Sequence, residues 1–275
     1  MLNRLLLAGL IALLSACGGG GSASDLPPVV SEIKAQQLQY GQKAVINIAG
    51  QNLRNDMIVD AGTCTKPSFA STSSPNLAVL NCQVTATGPI TLTIKAANGT
   101  QLFTTTLTVL PPQVTLITSQ GIIVVELNPT VVPVTVNNFL SYVSSGYYNS
   151  TLFHRVIPGF VIQGGGYTTG PTAKAGQLAP IVLESNKGLS NTRGTLGMAR
   201  TSTPDSATSE FFINLVDNVS LDYQSATNPG YAVFGTVVQG MDVVDAIALL
   251  PTGTANGLSN VPTADVTIQY ALQSQ

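Results

Sequence analysis

Short runs of alternating apolar and polar residues, each closed by a turn former, constrain this chain more than any other feature. In its first part they are Ala44–Ala49, Leu77–Leu80, Ile90–Lys95 and Leu102–Val109, separated by Tyr40-Gly41, Gly88-Pro89 and Asn98-Gly99. A period of two belongs to a strand with one buried face. Asn98-Gly99 between two such runs predicts a two-residue hairpin turn. Pro111-Pro112 then favours an extended linker and sets a boundary. Residues 29–112 are therefore expected to form a small β-sandwich, immunoglobulin-like in architecture only. No residue in it stands in a catalytic pattern, so a spacer or a partner-binding module is the expectation.

Residues 113–275 differ in having two helical patterns. Val114–Thr118 and Ile122–Leu127 flank Ser119-Gln-Gly121 as a hairpin. After Pro133, Val136, Phe139, Leu140 and Val143 recur at i, i+3, i+4 and i+7, which predicts an amphipathic helix ending near Gly146. A second helix is expected at Met241–Leu249, with Val244, Ile247 and Ala248 inward. Asp242 and Asp245 would lie in solvent, where the helix dipole favours the first turn. Ala264–Leu272 closes the chain as a strand. Two helices on a strand-rich body suit a closed barrel capped at its ends.

The start of the chain carries addressing rather than fold. Arg4, the apolar run Leu5–Leu14 and the exit Leu14-Ser-Ala-Cys17 describe a secretory signal over residues 1–16. The run is shorter than the roughly 20 residues a membrane-spanning helix needs. Leu-Ser-Ala-Cys resembles a bacterial lipobox, which implies Cys17 as an acylated first residue and residues 17–28 as a flexible tether. Gly18, rather than Asp, resembles an outer-membrane rather than an inner-membrane sorting signal in a Gram-negative host. The expectation is an exported, membrane-anchored lipoprotein facing the periplasm. Cys64 and Cys82 remain, and in an exported protein they are expected to pair. The redox alternative lacks the C-x-x-C spacing. Charged residues are 9% and the net charge is −2, so there is no basic footprint for nucleic acid and no polybasic stretch for anionic lipid. Gly164-Gly-Gly166 is not followed by Gly-Lys-Ser/Thr, which excludes a phosphate loop for nucleotide. A single histidine and one cysteine pair leave a zinc site short of ligands.

The stretch Phe153–Tyr167 holds the chemistry. It sets Arg155, Gln163, Phe160 and Val161 within a few residues of each other. Arg155, Val161 and Gln163 are an even number apart, so an unbroken strand would point them to one side, although Pro158-Gly159 predicts a bend or bulge between them. A cationic donor beside an amide and an apolar floor can hold a small ring and hydrogen-bond the carbonyl attached to it. This stretch resembles the signature of the cyclophilins. A second block, Gly194–Asn214, is similar to the bacterial members, and a third, Gly230–Ile247, fits as well. They follow in the family's order across about residues 113–272.

The resemblance implies a closed eight-stranded β-barrel and peptidyl-prolyl cis/trans isomerase activity. Rotation about an X-Pro amide meets a barrier of about 18–20 kcal/mol, because the nitrogen lone pair is delocalised into the carbonyl. Lowering it requires that lone pair localised, one end held and the other free to turn, with no nucleophile, metal, cofactor or nucleotide. Arg155 is assigned the contact with the prolyl carbonyl and the stabilisation of the pyramidal nitrogen, while Gln163 positions Arg155 and substrate. The proline pocket carries over onto Phe160, Val161, Phe212 and Leu221, with Phe211 facing the core. Backbone groups of Ala199, Arg200 and Thr201 resemble the edge along which the peptide lies. Tyr231 stands where animal enzymes carry histidine. His154 is expected to be structural and turned away from Arg155. Two positions depart from the pattern. Ser220 replaces a pocket-side tryptophan or phenylalanine, which should weaken binding of proline and of cyclosporin. Glu210 replaces a glutamine and would either compete for Arg155 or orient it. The expected substrates are proline-containing peptides and exported proteins as they fold. The alternative is a tethered peptide-binding or chaperone module with little isomerase activity.

Overall fold

The computed structural model describes residues 26–275. The expected signal peptide, Cys17 and most of the tether lie outside the described residues.

Residues 29–109 form seven strands: β1 (Val29–Gln37), β2 (Lys43–Gln51), β3 (Ile58–Asp60), β4 (Cys64–Phe69), β5 (Leu77–Val84), β6 (Gly88–Lys95) and β7 (Gln101–Val109). They make two sheets, ordered β1-β2-β5-β4 and β3-β6-β7. The alternation read in the sequence is the burial pattern. Ala44, Ile46 and Ile48, then Ala78, Leu80 and Cys82, then Ile90, Leu92 and Ile94 are buried and share the hydrophobic core. Each fully buried Ile or Leu contributes about 1.5–3 kcal/mol relative to exposure. Cys64 and Cys82 form a disulfide between neighbouring strands of one sheet, with Cα atoms 5.3 Å apart. The turn at Asn98-Gly99 is longer than expected. Ala96 N–H and carbonyl pair with Thr100 and Gly99, so Ala97, Asn98 and Gly99 all belong to it, with Gly99 at φ 86°. Three-residue loops of this kind end on a residue in the left-handed region, which glycine adopts without strain.

The second region opens with the expected hairpin, β8 (Gln113–Thr118) and β9 (Gly121–Leu127), turning at Ser119-Gln120. Helix α1 (Pro133–Ser144) follows with Pro133 in its first turn. Its free amides are capped from far away: Thr135 N–H and Oγ1–H donate to Glu184 at 2.8 and 2.7 Å. Phe139 on α1 reaches the core, with its ring centroid 5.1 Å from that of Tyr148, 5.4 Å from that of Phe211 and 5.1 Å from that of Phe234. Then come β10 (Thr151–Leu152), β11 (Arg155–Ile157), β12 (Val161–Gly164), the small pair β13 (Tyr167–Thr168) and β14 (Thr172–Ala173), β15 (Thr195–Met198), β16 (Phe211–Asn214) and β17 (Val233–Gln239). Helix α2 (Met241–Ala248) buries Val244, Ile247 and Ala248, while Asp245 pairs on the surface with Arg193 at 2.7 Å. A hairpin of β18 (Thr252–Ala255) and β19 (Leu258–Pro262) and the last strand β20 (Thr267–Gln273) complete the region.

Nine of these strands join one curled sheet, ordered β10-β20-β8-β9-β17-β15-β16-β12-β11. Its first and last strands, β10 and β11, are separated in the chain only by Phe153-His154. Gly165 N–H, just past β12, donates to the Leu152 carbonyl of β10 at 3.3 Å. Tyr40 of the first region donates from its hydroxyl to Asn137 on α1 at 2.9 Å, and Gln273 on β20 donates to the Tyr40 carbonyl at 3.0 Å.

Candidate active site

The site is one lateral row of residues across four neighbouring strands. Arg155 on β11 lies opposite Gln163 on β12, Gln163 opposite Phe212 on β16, and Phe212 opposite Gly197 on β15. Directly opposed residues of paired strands project to the same face. The common face of Arg155 and Gln163 thus comes from pairing across a hairpin, not from parity along one strand. Pro158, Gly159 and Phe160 reverse the chain, with Gly159 at φ 71° and Phe160 N–H donating to the Ile157 carbonyl at 3.0 Å.

Beside the row is a hollow of about 230 Å³. Phe160, Val161, Phe212 and Leu221 give it apolar walls, and Tyr231 meets Phe212 edge-on at 5.6 Å. Arg155, Gln163, Ala199 and Arg200 complete the lining. Phe212 lies against the bare Cα of Gly197, where an added Cβ would come within 2.1 Å of the ring. Phe211 is turned the other way, into the core beside Phe139.

Polar contacts run from the hollow into the protein. Arg155 Nη1–H donates to Gln163 Oε1 at 3.2 Å, and Gln163 Nε2–H donates to Glu210 Oε2 at 2.8 Å. His154 Nε2 lies 3.3 Å from the same carboxylate oxygen. A carboxylate only accepts and a guanidinium only donates, so both neighbours force the same orientation on the Gln163 amide. Burial pushes the Glu210 carboxyl up. Hydrogen bonding and the positive field of the His154 ring, with the Gln163 amide, outweigh that and hold it below the ordinary carboxylate range. Glu210 therefore does not pair with Arg155; the amide stands between them. His154 is outside the hollow but joins its polar chain through Glu210, a partnership that the sequence reading missed.

The remaining expected residues fall as follows. Ala199 N–H donates to the Glu210 carbonyl at 2.9 Å, and Thr201 N–H to Ser206 Oγ at 3.0 Å, so both donors are used within the protein. Thr201 lies outside the hollow, and its carbonyl accepts from Arg200 Nη1 at 2.8 Å. Ser220 is exposed in the short turn Val219–Leu221. A second network, also missed, fixes two walls of the hollow. Asn218 Nδ2 donates to the Phe160 carbonyl at 2.9 Å and to Asn214 Oδ1 at 2.8 Å, and Asn214 in turn donates to Thr195 Oγ1 at 2.9 Å. Asp222, next to Leu221, accepts from Asn191 N–H at 2.7 Å and from its side-chain amide at 2.9 Å. These residues are scattered along the chain, so no local pattern announces them.

Together fold and site define a curled β-sheet protein that sets a fixed cation beside an apolar, ring-sized hollow, an arrangement suited to holding a prolyl peptide. Comparison with known proteins gives the family. The model for the family described as Cyclophilin type peptidyl-prolyl cis-trans isomerase/CLD matches residues 113–272. A peptidyl-prolyl cis-trans isomerase of Acinetobacter baylyi is 56% identical over 151 residues, covering 55% of this chain and 79% of that protein. Peptidyl-prolyl cis-trans isomerase B of Escherichia coli is 50% identical over 164 residues, covering 59% and 99%. Peptidyl-prolyl cis-trans isomerase A of Dickeya dadantii is 50% identical over 158 residues, covering 58% and 82%. The chain belongs to the cyclophilin-type peptidyl-prolyl cis-trans isomerases, and the family match leaves residues 26–112 outside it.

Proposed function

We propose that Arg155 is the catalytic group of this isomerase and that the hollow seats the substrate proline. The observation that carries the reading is that Arg155 lines the hollow with its guanidinium held by one hydrogen bond, to Gln163, and its other donors uncommitted among the described residues. A prolyl ring between Phe160, Val161, Phe212 and Leu221 leaves its carbonyl within reach of those donors. A planar fork of donors can polarise that carbonyl and stabilise the nitrogen lone pair as the amide twists. Arg155→Ala tests this in a protease-coupled assay on a proline tetrapeptide. A fall in kcat/KM of about 100-fold, roughly 2.7 kcal/mol, is expected. Activity within threefold of wild type would assign the isomerisation elsewhere, and weak wild-type activity with intact peptide binding would favour the chaperone reading.

The proposed setting is the folding of exported proteins by a lipid-anchored enzyme. Leu14-Ser-Ala-Cys17, the glycine run after it and a disulfide at Cys64–Cys82 support it. Mass spectrometry of the N-terminal peptide from membranes should find Cys17 as an acylated first residue; an unmodified Met1 would remove the anchor. We read residues 113–275 as a closed eight-stranded barrel, counting β10 and β11 as one strand bent at Phe153-His154. Residues 29–112 are read as an immunoglobulin-like spacer on the strength of their two sheet orders.

A further inference from the structure

We propose that Arg200 makes this site selective for peptides carrying an acidic residue next to the proline; the inference rests on the isomerase reading of the hollow. Arg200 lines the same hollow as Arg155. It is pinned three ways. Nε–H donates to the Gly230 carbonyl at 2.9 Å, Nη1–H donates to the Thr201 carbonyl at 2.8 Å, and Cζ sits 4.8 Å from the centroid of the Tyr231 ring. A guanidinium fixed in this way loses little further freedom on meeting a carboxylate, so more of the attraction is retained as binding.

The charge it brings is uncompensated. Among the described residues Lys34–Glu32 and Arg193–Asp245 form ion pairs and His154 lies against Glu210, while neither Arg155 nor Arg200 has a carboxylate partner. Acids of the neighbouring segments have partners of their own, Asp205 accepting from Leu183 N–H at 2.8 Å. Glu210 is held by His154 and Gln163, and Asp222 by Ser190 and Asn191. No acidic residue lines the hollow. Two unpaired arginines thus face one apolar-walled space in a chain of net charge −2, and apolar walls strengthen a charge's reach. Arg155 is taken by the prolyl carbonyl in the proposed mechanism. Arg200 is the cation left for a substrate side chain, and its Nη2 makes no hydrogen bond among the described residues.

The test uses the full chain and the series succinyl-Ala-Xaa-Pro-Phe-4-nitroanilide with Xaa as Glu, Ala or Lys. At low ionic strength, kcat/KM for the Glu peptide should exceed that for the Lys peptide about fivefold, and 0.5 M salt should compress the ratio. Arg200→Gln should bring it within twofold of unity, while Arg200→Lys should preserve it. A wild-type ratio at or below one, or a ratio that Arg200→Gln leaves alone, would overturn the proposal. No acceleration of any of the three peptides would instead defeat the isomerase reading. In that event titration of the Glu and Lys peptides by NMR still decides the matter, because equal Kd values would overturn the selectivity.

Discussion

Gly197→Ala probes a wall of the hollow. The added Cβ would lie 2.1 Å from Cζ of Phe212 and 2.5 and 2.7 Å from the adjoining ring atoms, about 1.3 Å short of ordinary contact at the closest point. The backbone of Gly197 cannot yield easily, because β15 is held between β16 and β17. The ring must move, and Tyr231 stands edge-on against it at 5.6 Å. The displacement that remains swings Phe212 up into a hollow of about 230 Å³, where the proline ring is proposed to sit. Overpacking of this kind costs about 1–3 kcal/mol of stability, which thermal melting followed by circular dichroism reads as a lowered Tm. Substrate capture suffers separately: kcat/KM should fall at least about tenfold, or 1.4 kcal/mol, with KM carrying most of the change. A variant that keeps kcat/KM within twofold of wild type would refute the assignment of Phe212 as a wall of the proline site, even if its Tm dropped.

Other perturbations separate the remaining claims. Glu210→Gln removes a negative charge one amide away from Arg155 while leaving a carbonyl to accept from Gln163 and His154, so kcat/KM should rise about two- to fivefold; an unchanged or lower value rejects that reasoning. The same variant has a stability signature. The Glu210 carboxyl is held below its ordinary range in the folded protein, so its contribution is full above the unfolded-state value and is lost as pH falls through the depressed folded one. Wild type should therefore lose Tm more steeply in acid than Glu210→Gln, and equal acid slopes would argue against the held carboxylate. Replacing Cys64 and Cys82 together by serine opens a crosslink spanning 18 residues and should cost the first region about 3 kcal/mol. Isomerase kcat/KM should stay within twofold, and a large loss would show that the two regions are not energetically separate.

Much of the framework was legible because it is local. One buried face per strand dictates the alternation at Ala44-Ile46-Ile48 and Ile90-Leu92-Ile94, and the spacing of Val136, Phe139, Leu140 and Val143 marks α1 as a helix before any partner is known. What depends on distant pairing was not legible. Nothing near Pro133 says that Glu184, some fifty residues on, caps α1, nor that Asn218 ties the loop of Phe160 to Asn214. The hollow lies between these cases. Its lining residues were named through resemblance to a family, and the lateral row Arg155–Gln163–Phe212–Gly197 is fixed only by strand register. Parity put Arg155 and Gln163 on one face, whereas the structure does so by a hairpin.

The clearest gain over the sequence concerns Glu210. Read alone, an acid near the arginine is a competitor for it, and a direct ion pair would occupy the donors that a prolyl carbonyl needs. The structure interposes a neutral amide. Gln163 accepts from Arg155 on one side and donates to Glu210 on the other, so the carboxylate can fix the amide, and the amide the arginine, without neutralising it. His154 is buried beside the carboxylate, with Nε2 3.3 Å from Glu210 Oε2. A guanidinium that is steered but not paired retains both its field and its free donors, which is what the proposed contact with a prolyl carbonyl requires.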